Sequence, residues 1–188
     1  MKASAGGNAD PDRQIIWQGK YLRLVVRGTW ECGERGNLTG IVAIVAVTDD
    51  RKLVLVEQYR IPVGRNVIEL PAGLVGDVPG QADEPLEAAV RRELLEETGY
   101  QAAHVERLFE GAPSAGLSNE AITFYLATGL TKVAAGGGDQ TEDITVHEVP
   151  LEGLAEWLFA RQKQGATIDA KIFSPLYIYE HRLRGRPS

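Results

Sequence analysis

The segment "RRELLEETGY", residues 91–100, decides how the fold of this chain is interpreted. Its pattern predicts the last turns of a helix that ends at Gly99, because glycine readily adopts the left-handed conformation that follows a helix. Glu93, Glu96 and Glu97 fall within about one turn of this helix, where like charges repel and destabilise it. The segment therefore needs a compensating cation or a function that keeps the carboxylates together.

The spacing of the three glutamates favours a cation. Glu93 and Glu97 are four residues apart and share one helical face, and Glu96 is three residues from Glu93. At an effective dielectric constant of 20, two unit charges about 4 Å apart interact by roughly 4 kcal/mol, which raises carboxylate pKa values unless cations lie among them. Mg²⁺ binds a few carboxylates plus substrate phosphates. The alternative is a solvated helix face on which Arg92 pairs with Glu96.

The composition of the whole chain limits the function classes. A formal net charge of −6 in 188 residues argues against binding to a nucleic acid polymer, which favours basic surfaces. No apolar run is long enough to cross a bilayer, and the first residues lack the apolar core of a signal peptide. Cys32 is the only cysteine, which excludes an internal disulfide and a thiolate cluster. We expect a cytoplasmic protein without a membrane partner.

The residues before the helix predict mainly strands. Polar and apolar residues alternate at 14–30, which predicts two strands with a turn near Gly19. Residues 31–37 are predicted to form a turn or loop. The apolar run 38–48 predicts a strand buried on both faces. Its predicted hairpin partner is 53–60, and a further strand is predicted at 66–70.

The helix itself is predicted at 84–98, after a Gly- and Pro-rich loop at 71–83. Pro85 suits the first turn, with Asp83 or Glu84 at the cap. An apolar stripe at helical spacing supports this helix, and consists of Leu86, Ala89, Val90, Leu94 and Thr98.

The rest of the chain completes an α+β domain with a mixed sheet. Strands are predicted near 103–110, 121–128 and 144–149, and helices at about 151–163 and 170–183. "GGG", 136–138, lacks the helix context of a phosphate-binding loop and is predicted to be a flexible loop. The expected organisation is a flexible tail (1–13), N-terminal strands (14–35) and one catalytic domain (36–188).

The glutamate helix resembles the Nudix box, G-x5-E-x7-R-E-U-x-E-E-x-G-U, where U is a bulky apolar residue. Glu84 is followed by seven residues and then by "RELLEETGY", which matches the second half of the motif, with Tyr100 as a mild departure at the last position. Gly73, in "ELPAG", precedes Glu84 by ten residues instead of five. We infer an insertion of about five residues in the loop before the helix.

The resemblance implies an α/β/α sandwich and hydrolysis of a nucleoside diphosphate linked to another group. It also implies Mg²⁺ or Mn²⁺, which neutralises the diphosphate and activates a water. Arg92 is expected to orient the carboxylates. The implied metal ligands are Glu93, Glu97, the carbonyl of Ala72, and Glu96 either directly or through water.

Further segments are similar to the ADP-ribose pyrophosphatase and GDP-mannose hydrolase branch, namely "VEQYR", "IELPAGL", a Ser-Gly loop ending in Glu, and "GGGDQTEDITVHEVP". Arg60 is expected to contact the diphosphate or a partner subunit, or else to form a surface salt bridge. Glu69 is expected to aid substrate or metal geometry, or to be structural. Glu120 is expected to contact substrate or act as a base, and Glu142 to bind metal. Gln140 stands where the branch often has its catalytic base.

The branch also exchanges its N-terminal strands between subunits, so 14–30 suggests a homodimer. The expected reaction is Mg²⁺-dependent hydrolysis of a nucleoside diphosphate sugar, with ADP-ribose first and GDP-mannose next, to a nucleoside monophosphate and a sugar phosphate. One alternative is a housecleaning hydrolase of oxidised nucleotides or dinucleoside polyphosphates. The other is a non-catalytic, nucleotide-binding regulator.

Overall fold

The structure, a computed structural model, describes residues 12–36, 39–76, 80, 83–138 and 143–184. A 3-10 turn, Ala170–Ile172, precedes the last helix. The strands and helices of the described residues are, in chain order, β1 (Arg13–Gln18), β2 (Leu22–Arg27), β3 (Trp30–Arg35), β4 (Gly40–Val47), β5 (Lys52–Arg60), β6 (Arg65–Glu69), β7 (Ala72–Val75), α1 (Leu86–Thr98), β8 (Tyr100–Gly111), β9 (Ile122–Lys132), β10 (Thr145–Pro150), α2 (Leu154–Lys163), β11 (Thr167–Ile168) and α3 (Phe173–Arg184).

The central sheet has eight strands and is mixed, as predicted. Its main order is β11-β6-β5-β4-β9-β8, with β10 paired to β5 and β7 paired to β4. β4 runs parallel to β9, from Ile41 opposite Ile122 to Ala46 opposite Ala127. The predicted hairpin of β4 and β5 is confirmed by the antiparallel pairs at its closed end. The two-residue β11 was not predicted, because so short a strand carries no periodicity.

Helices cover both faces of this sheet. Val42, Ile44 and Ala46 of β4 pack with the buried face of α1. The alternate residues Ala43 and Val45 pack in a second cluster with Leu158 of α2 and Tyr179 of α3. Because both faces of β4 are covered, its sequence is an unbroken apolar run. The result is the expected α/β/α sandwich, and none of the described helices has the length and apolar character that a membrane crossing needs.

β4 changes partner halfway along its length. Its first half pairs with β7, from Gly40 opposite Val75 to Ala43 opposite Ala72, and its second half pairs with β5. The prediction that all of 71–83 is a loop is therefore wrong for Ala72–Val75. These four residues, which include Gly73, show no strand pattern in the sequence. They form a strand because their backbone pairs with the first half of β4. This short strand lies beside α1 and carries part of the cavity wall described below.

Helix α1 begins two residues later than predicted. Pro85 is the N-cap residue itself, with extended backbone angles, and the helix starts at Leu86. Gly99 ends it in the left-handed conformation, at a φ of 71°, and its N–H donates to the carbonyl of Leu95 at 2.8 Å. The buried face contains the predicted apolar stripe and also Glu93 and Glu97. Two carboxylates are thus buried at the border of the hydrophobic core.

Strands β1, β2 and β3 form a separate antiparallel sheet, with β1 starting at Arg13, one residue before the predicted strand. The prediction of a turn or loop at 31–37 is wrong for residues 31–35, which together with Trp30 form β3. Charged residues and a glycine hide the strand pattern here. The ion pairs of Glu34 with Arg13 and Arg27, each at 2.6 Å, become visible only once the strands are paired.

These ion pairs predict a pH dependence of stability. The hydrogen bond and charge of Arg13, aided by Arg27, lower the pKa of the buried Glu34 from 4.5 to about 2. A lowered carboxyl pKa stabilises the fold above the unfolded-state pKa, and this stabilisation is lost as the pH falls from about 4.5 towards 2. Thermal unfolding should therefore show that Glu34→Gln costs about 2 kcal/mol at pH 6 and much less at pH 2.5. The same substitution at exposed Glu31 is the control; an equal cost at both pH values would contradict the ion-pair explanation.

Candidate active site

A cavity of about 880 Å³ lies between α1, the strand β7, the tip of the β5–β6 hairpin and the 3-10 turn. Its walls carry more acidic than basic side chains, so a divalent cation would balance the excess negative charge. The four cationic residues in its lining are Arg35, Arg60, Arg92 and Lys171, and the six anionic residues are Glu69, Glu93, Glu96, Glu97, Glu120 and Asp169.

Arg92 connects the acidic residues of this cavity. Its Nε and Nη2 donate to the two carboxylate oxygens of Glu84 at 3.1 and 3.0 Å. Nη1 donates to Glu93 at 2.8 Å and to Glu96 at 3.2 Å, and Nη2 also donates to the carbonyl of Leu74 at 3.2 Å. One guanidinium therefore links the start of α1, two of its glutamates and β7. The orienting role expected of Arg92 stays a prediction.

Glu84 and Arg92 favour each other's charged form. The hydrogen bond from Arg92 lowers the pKa of Glu84, and the same carboxylate is the largest cause that raises the pKa of Arg92. Planar guanidinium suits this two-point contact, which a lysine cannot reproduce. The pair Glu84–Arg92 therefore stays ionised and anchors the other carboxylates near the cavity.

The carboxylates of Glu93 and Glu97 lie against β7. Glu97, with only 2% of its surface exposed, accepts a hydrogen bond from the backbone N–H of Ala72 at 3.0 Å. The carboxyl group of Glu93 lies directly against Gly73, where a Cβ atom would overlap it. This close approach explains the glycine of "ELPAG", because only a residue without a side chain leaves room for Glu93.

The donor groups at this site suit a hard divalent cation. Three carboxylates and the backbone of Ala72 supply oxygen atoms, the donors that Mg²⁺ and Mn²⁺ prefer. Within the described residues, no three acidic, cysteine or histidine side chains already stand in a ligand arrangement. The Arg92 guanidinium bonds to one oxygen of Glu93 and one of Glu96, so a metal that binds through the other oxygen of each would leave these hydrogen bonds in place.

Arg60 and Glu69 form an ion pair on another wall of the cavity. The Arg60 Nε donates to Glu69 at 2.7 Å. Burial raises the pKa of Glu69 and Asp169 raises it further, while the charge of Arg60 lowers it. The salt bridge expected as one alternative for Arg60 is thus present, and it faces the cavity.

Glu120 faces the same cavity from the loop before β9 and accepts a hydrogen bond from Arg35 of β3. Two neighbouring contacts fix the three-stranded sheet to this loop. The N–H of Gly33 donates to the carbonyl of Leu117 at 2.8 Å, and the Trp30 indole donates to Gly116 at 3.2 Å. The N-terminal sheet therefore contributes a cation to the site, although the sequence indicated only a possible role in assembly.

A NUDIX domain model matches residues 38–172, well over half of the chain. The chain belongs to the Nudix family. Among its relatives, the methanol dehydrogenase activator of Bacillus methanolicus is 38% identical over 150 residues, covering 76% of this chain and 78% of that protein. The ADP-ribose pyrophosphatase of Bacillus subtilis is 35% identical, covering 80% and 82%, and the GDP-mannose pyrophosphatase of Citrobacter koseri is 35% identical, covering 77% and 76%.

A solved structure of an "ADP compounds hydrolase" shares the fold, with a TM-score of 0.69 over 93% of each chain at 20% identity. The predictions of a Nudix fold and of a Nudix hydrolase similar to ADP-ribose and GDP-mannose pyrophosphatases are confirmed. Four residues of the Nudix box line the cavity, namely Arg92, Glu93, Glu96 and Glu97.

Sequence reasoning missed three charged residues of the Nudix cavity. Arg35 was assigned to a loop. Asp169 and Lys171 belong to the 3-10 turn, where Asp169 accepts a hydrogen bond from the Lys171 N–H and pairs with its ammonium at 2.5 Å. An Asp followed two residues later by Lys is a common turn pattern, so nothing in the sequence marked it. The candidate ligand Glu142 and the neighbouring Gln140 lie outside the described residues.

Proposed function

We propose that this Nudix hydrolase cleaves the diphosphate of a nucleoside diphosphate sugar, with ADP-ribose as the first candidate and GDP-mannose as the next. The products are a nucleoside monophosphate and a sugar phosphate, and the reaction depends on Mg²⁺ or Mn²⁺. The observation that carries the proposal is one cavity in which a wall of glutamates faces cations from three other elements. Its volume of about 880 Å³ lies in the range of small-molecule sites. Relatives named for both substrates support the same class.

The glutamates of α1 would hold the cation. Glu93 and Glu97 are the proposed direct ligands, joined by the Ala72 carbonyl and by Glu96 directly or through water. When bound, the metal neutralises the diphosphate and makes a water nucleophilic enough to attack phosphorus. Arg92 restrains the two carboxylates that it contacts, so that their oxygens stay at the cavity wall. Glu142 is proposed as a further ligand from its sequence position alone.

The other walls would bind and orient the substrate. Arg60 is proposed to contact the diphosphate, and Glu69, its ion-pair partner, to fix the direction of the guanidinium. Glu120 is proposed to contact substrate or to accept the proton of the attacking water. Arg35 donates to one oxygen of this carboxylate, so the other oxygen would be the one to accept the proton.

A homodimer is part of the proposal. The proposal is supported by a set of large apolar side chains that the three-stranded sheet and its first turn expose, since such patches are typical of protein-binding surfaces. A second copy would cover them, in the manner that N-terminal strand exchange implies. Light scattering coupled to size-exclusion chromatography should give twice the chain mass, and a monomer at micromolar concentration would contradict it. The exposed side chains are Ile15, Ile16, Trp17, Tyr21, Leu22, Leu24 and Trp30.

A substrate panel tests the proposed reaction. Nucleoside diphosphate sugars, dinucleoside polyphosphates and oxidised nucleoside triphosphates are each incubated with the protein and Mg²⁺ or Mn²⁺, and the products are separated. We expect a monophosphate and a sugar phosphate from a nucleotide sugar, and no products with EDTA. Preferential cleavage of dinucleotides or oxidised triphosphates would favour the housecleaning alternative. Nucleotide binding without turnover would favour a regulator, a role for which one relative is named.

A further inference from the structure

The C-terminal end of α1 is enclosed by the segment that follows β9. The carbonyls at the end of an α-helix lack partners within the helix. Here each of four consecutive carbonyls accepts a hydrogen bond from residues 132–138, which we call the clasp. The bonds are Gly138 N–H to Glu96 at 3.1 Å, Gly137 N–H to Glu97 at 2.8 Å, the Lys132 ammonium to Thr98 at 2.8 Å, and the N–H groups of Val133 and Ala134 to Gly99 at 2.9 and 3.2 Å.

Two of these carbonyls belong to Glu96 and Glu97, whose side chains line the cavity. The backbone positions of two proposed metal-binding residues are therefore set by the clasp, in addition to the hydrogen bonds of the helix. Of the three glycines that were expected to be a flexible loop, Gly137 and Gly138 are hydrogen-bonded to the helix. Their N–H groups are used by the carbonyls of Glu97 and Glu96 and so do not point to a phosphate.

The close approach of the clasp to the helix needs glycine at position 136. Gly136 has a φ of 76°, which residues with side chains rarely adopt. A Cβ atom there would stand 2.5 Å from the carbonyl carbon of Thr98 and 2.8 Å from the carbonyl oxygen of Glu97. Both are backbone atoms, which cannot move aside as a flexible side chain would. A side chain at position 136 therefore displaces the backbone that carries Glu97.

Lys132 adds a charge to this contact. The last turn of α1 contains no basic residue of its own. The C-terminus of a helix carries a partial negative charge, which a cation stabilises. The Lys132 ammonium occupies this position, bonded to Thr98 and 4.7 Å from the centre of the Tyr100 ring.

We propose that the clasp positions the carboxylates of Glu96 and Glu97, with Lys132 and Gly136 as positioning residues for divalent cation binding. The inference rests on the proposed function only in that a cation binds these carboxylates. Neither residue lines the cavity, so any effect on the cation must pass through the end of the helix.

Binding of Mn²⁺ to the full chain, followed by electron paramagnetic resonance of the free ion without substrate, tests this proposal. Displacing a group that supports metal ligands costs about tenfold or more in metal affinity, so Gly136→Ala should raise the Mn²⁺ dissociation constant at least about tenfold. Lys132→Met, which keeps the chain length but loses the ammonium, should raise it about threefold. Lys132→Arg should restore most of the affinity, because guanidinium can also donate to the Thr98 carbonyl.

Gly153→Ala is the matched control for Gly136→Ala. Gly153 has a similar positive φ of 83°, but no atom lies near the position of a Cβ. The control carries the same backbone strain without the displacement and should bind Mn²⁺ as the parent does. If Gly136→Ala fails to fold, the Mn²⁺ affinities of Lys132→Met and Lys132→Arg test the proposal. Unchanged Mn²⁺ affinity in the folded clasp variants would overturn the proposal.

The same titration separates the two proposals. A parent protein that binds Mn²⁺ but cleaves no nucleotide sugar would contradict the proposed function, and the clasp would still be judged by its variants. A parent protein that binds no Mn²⁺ would contradict both.

Discussion

Glu97→Gln is expected to lower kcat/KM about a thousandfold, because it removes the most buried carboxylate of the cavity. The amide oxygen of glutamine can still accept the hydrogen bond from the Ala72 N–H, so the local structure is kept. What is lost is one negative charge at the proposed metal. Metal stabilisation of the transition state amounts to several kcal/mol, and three factors of ten correspond to about 4 kcal/mol. Steady-state kinetics over a range of Mg²⁺ concentrations measures the effect.

Glu87→Gln is the matched control for this variant. Glu87 is an exposed residue in the first turn of the same helix and is not part of the cavity lining. It should retain the kinetic constants of the parent protein. Parent-like activity of Glu97→Gln at limiting Mg²⁺ would show that Glu97 is not a metal ligand.

Gly73→Ala is expected to inactivate the enzyme by displacing Glu93. The new Cβ would overlap the Glu93 carboxyl group, which must leave its position between β7 and Arg92. Overpacking of this kind typically costs about 1–3 kcal/mol in the free energy of unfolding. The displaced carboxylate should lower kcat/KM by about a hundredfold or more, since positioning residues often have such effects. Thermal unfolding and kinetics measure the two quantities separately.

The double variant Gly73→Ala/Glu93→Ala identifies the cause of these effects. Removal of the Glu93 carboxyl removes the overlap, so the unfolding free energy should recover most of its loss, while activity stays low. Gly116→Ala is the control for Gly73→Ala, since Gly116 has open space around its Cβ position. If the double variant is as unstable as Gly73→Ala, the clash does not involve Glu93.

Elements with a strong periodic pattern were predictable from the sequence. The apolar run of β4 and the apolar stripe of α1 each indicate which faces are buried. The bounds of both elements were therefore predicted to within two residues. The candidate metal residues on α1 followed from their spacing together with the family motif. Local chemistry was sufficient for these features because the residues that define them are neighbours in the chain.

Features that depend on distant partners were not predictable. Strand β3 and strand β7 become strands only by pairing with β2 and β4, and each contains a glycine that weakens the local pattern. The pairing of Arg35 with Glu120 joins residues 85 positions apart. The clasp glycines were predicted to form a flexible loop, because the hydrogen bonds of Gly137 and Gly138 to α1 depend on how the chain returns to the helix after β9. The residue pattern of one segment cannot predict such contacts, because they depend on a second segment far away in the chain.

The Arg92 guanidinium already supplies a counterion to the carboxylates at which the divalent cation is proposed to bind. In the described structure one permanent cation already bonds to Glu93 and Glu96, and Glu84 holds that cation in place. The metal-free helix is therefore spared much of the repulsion between its carboxylates, and chelation should remove activity with little loss of thermal stability. Because Arg92 bonds to only one oxygen of each carboxylate, the proposed divalent ion would add a second cation to a cluster that is already partly neutralised. The fold is therefore expected to persist without the metal, so removal and return of the ion should switch activity off and on without unfolding the protein.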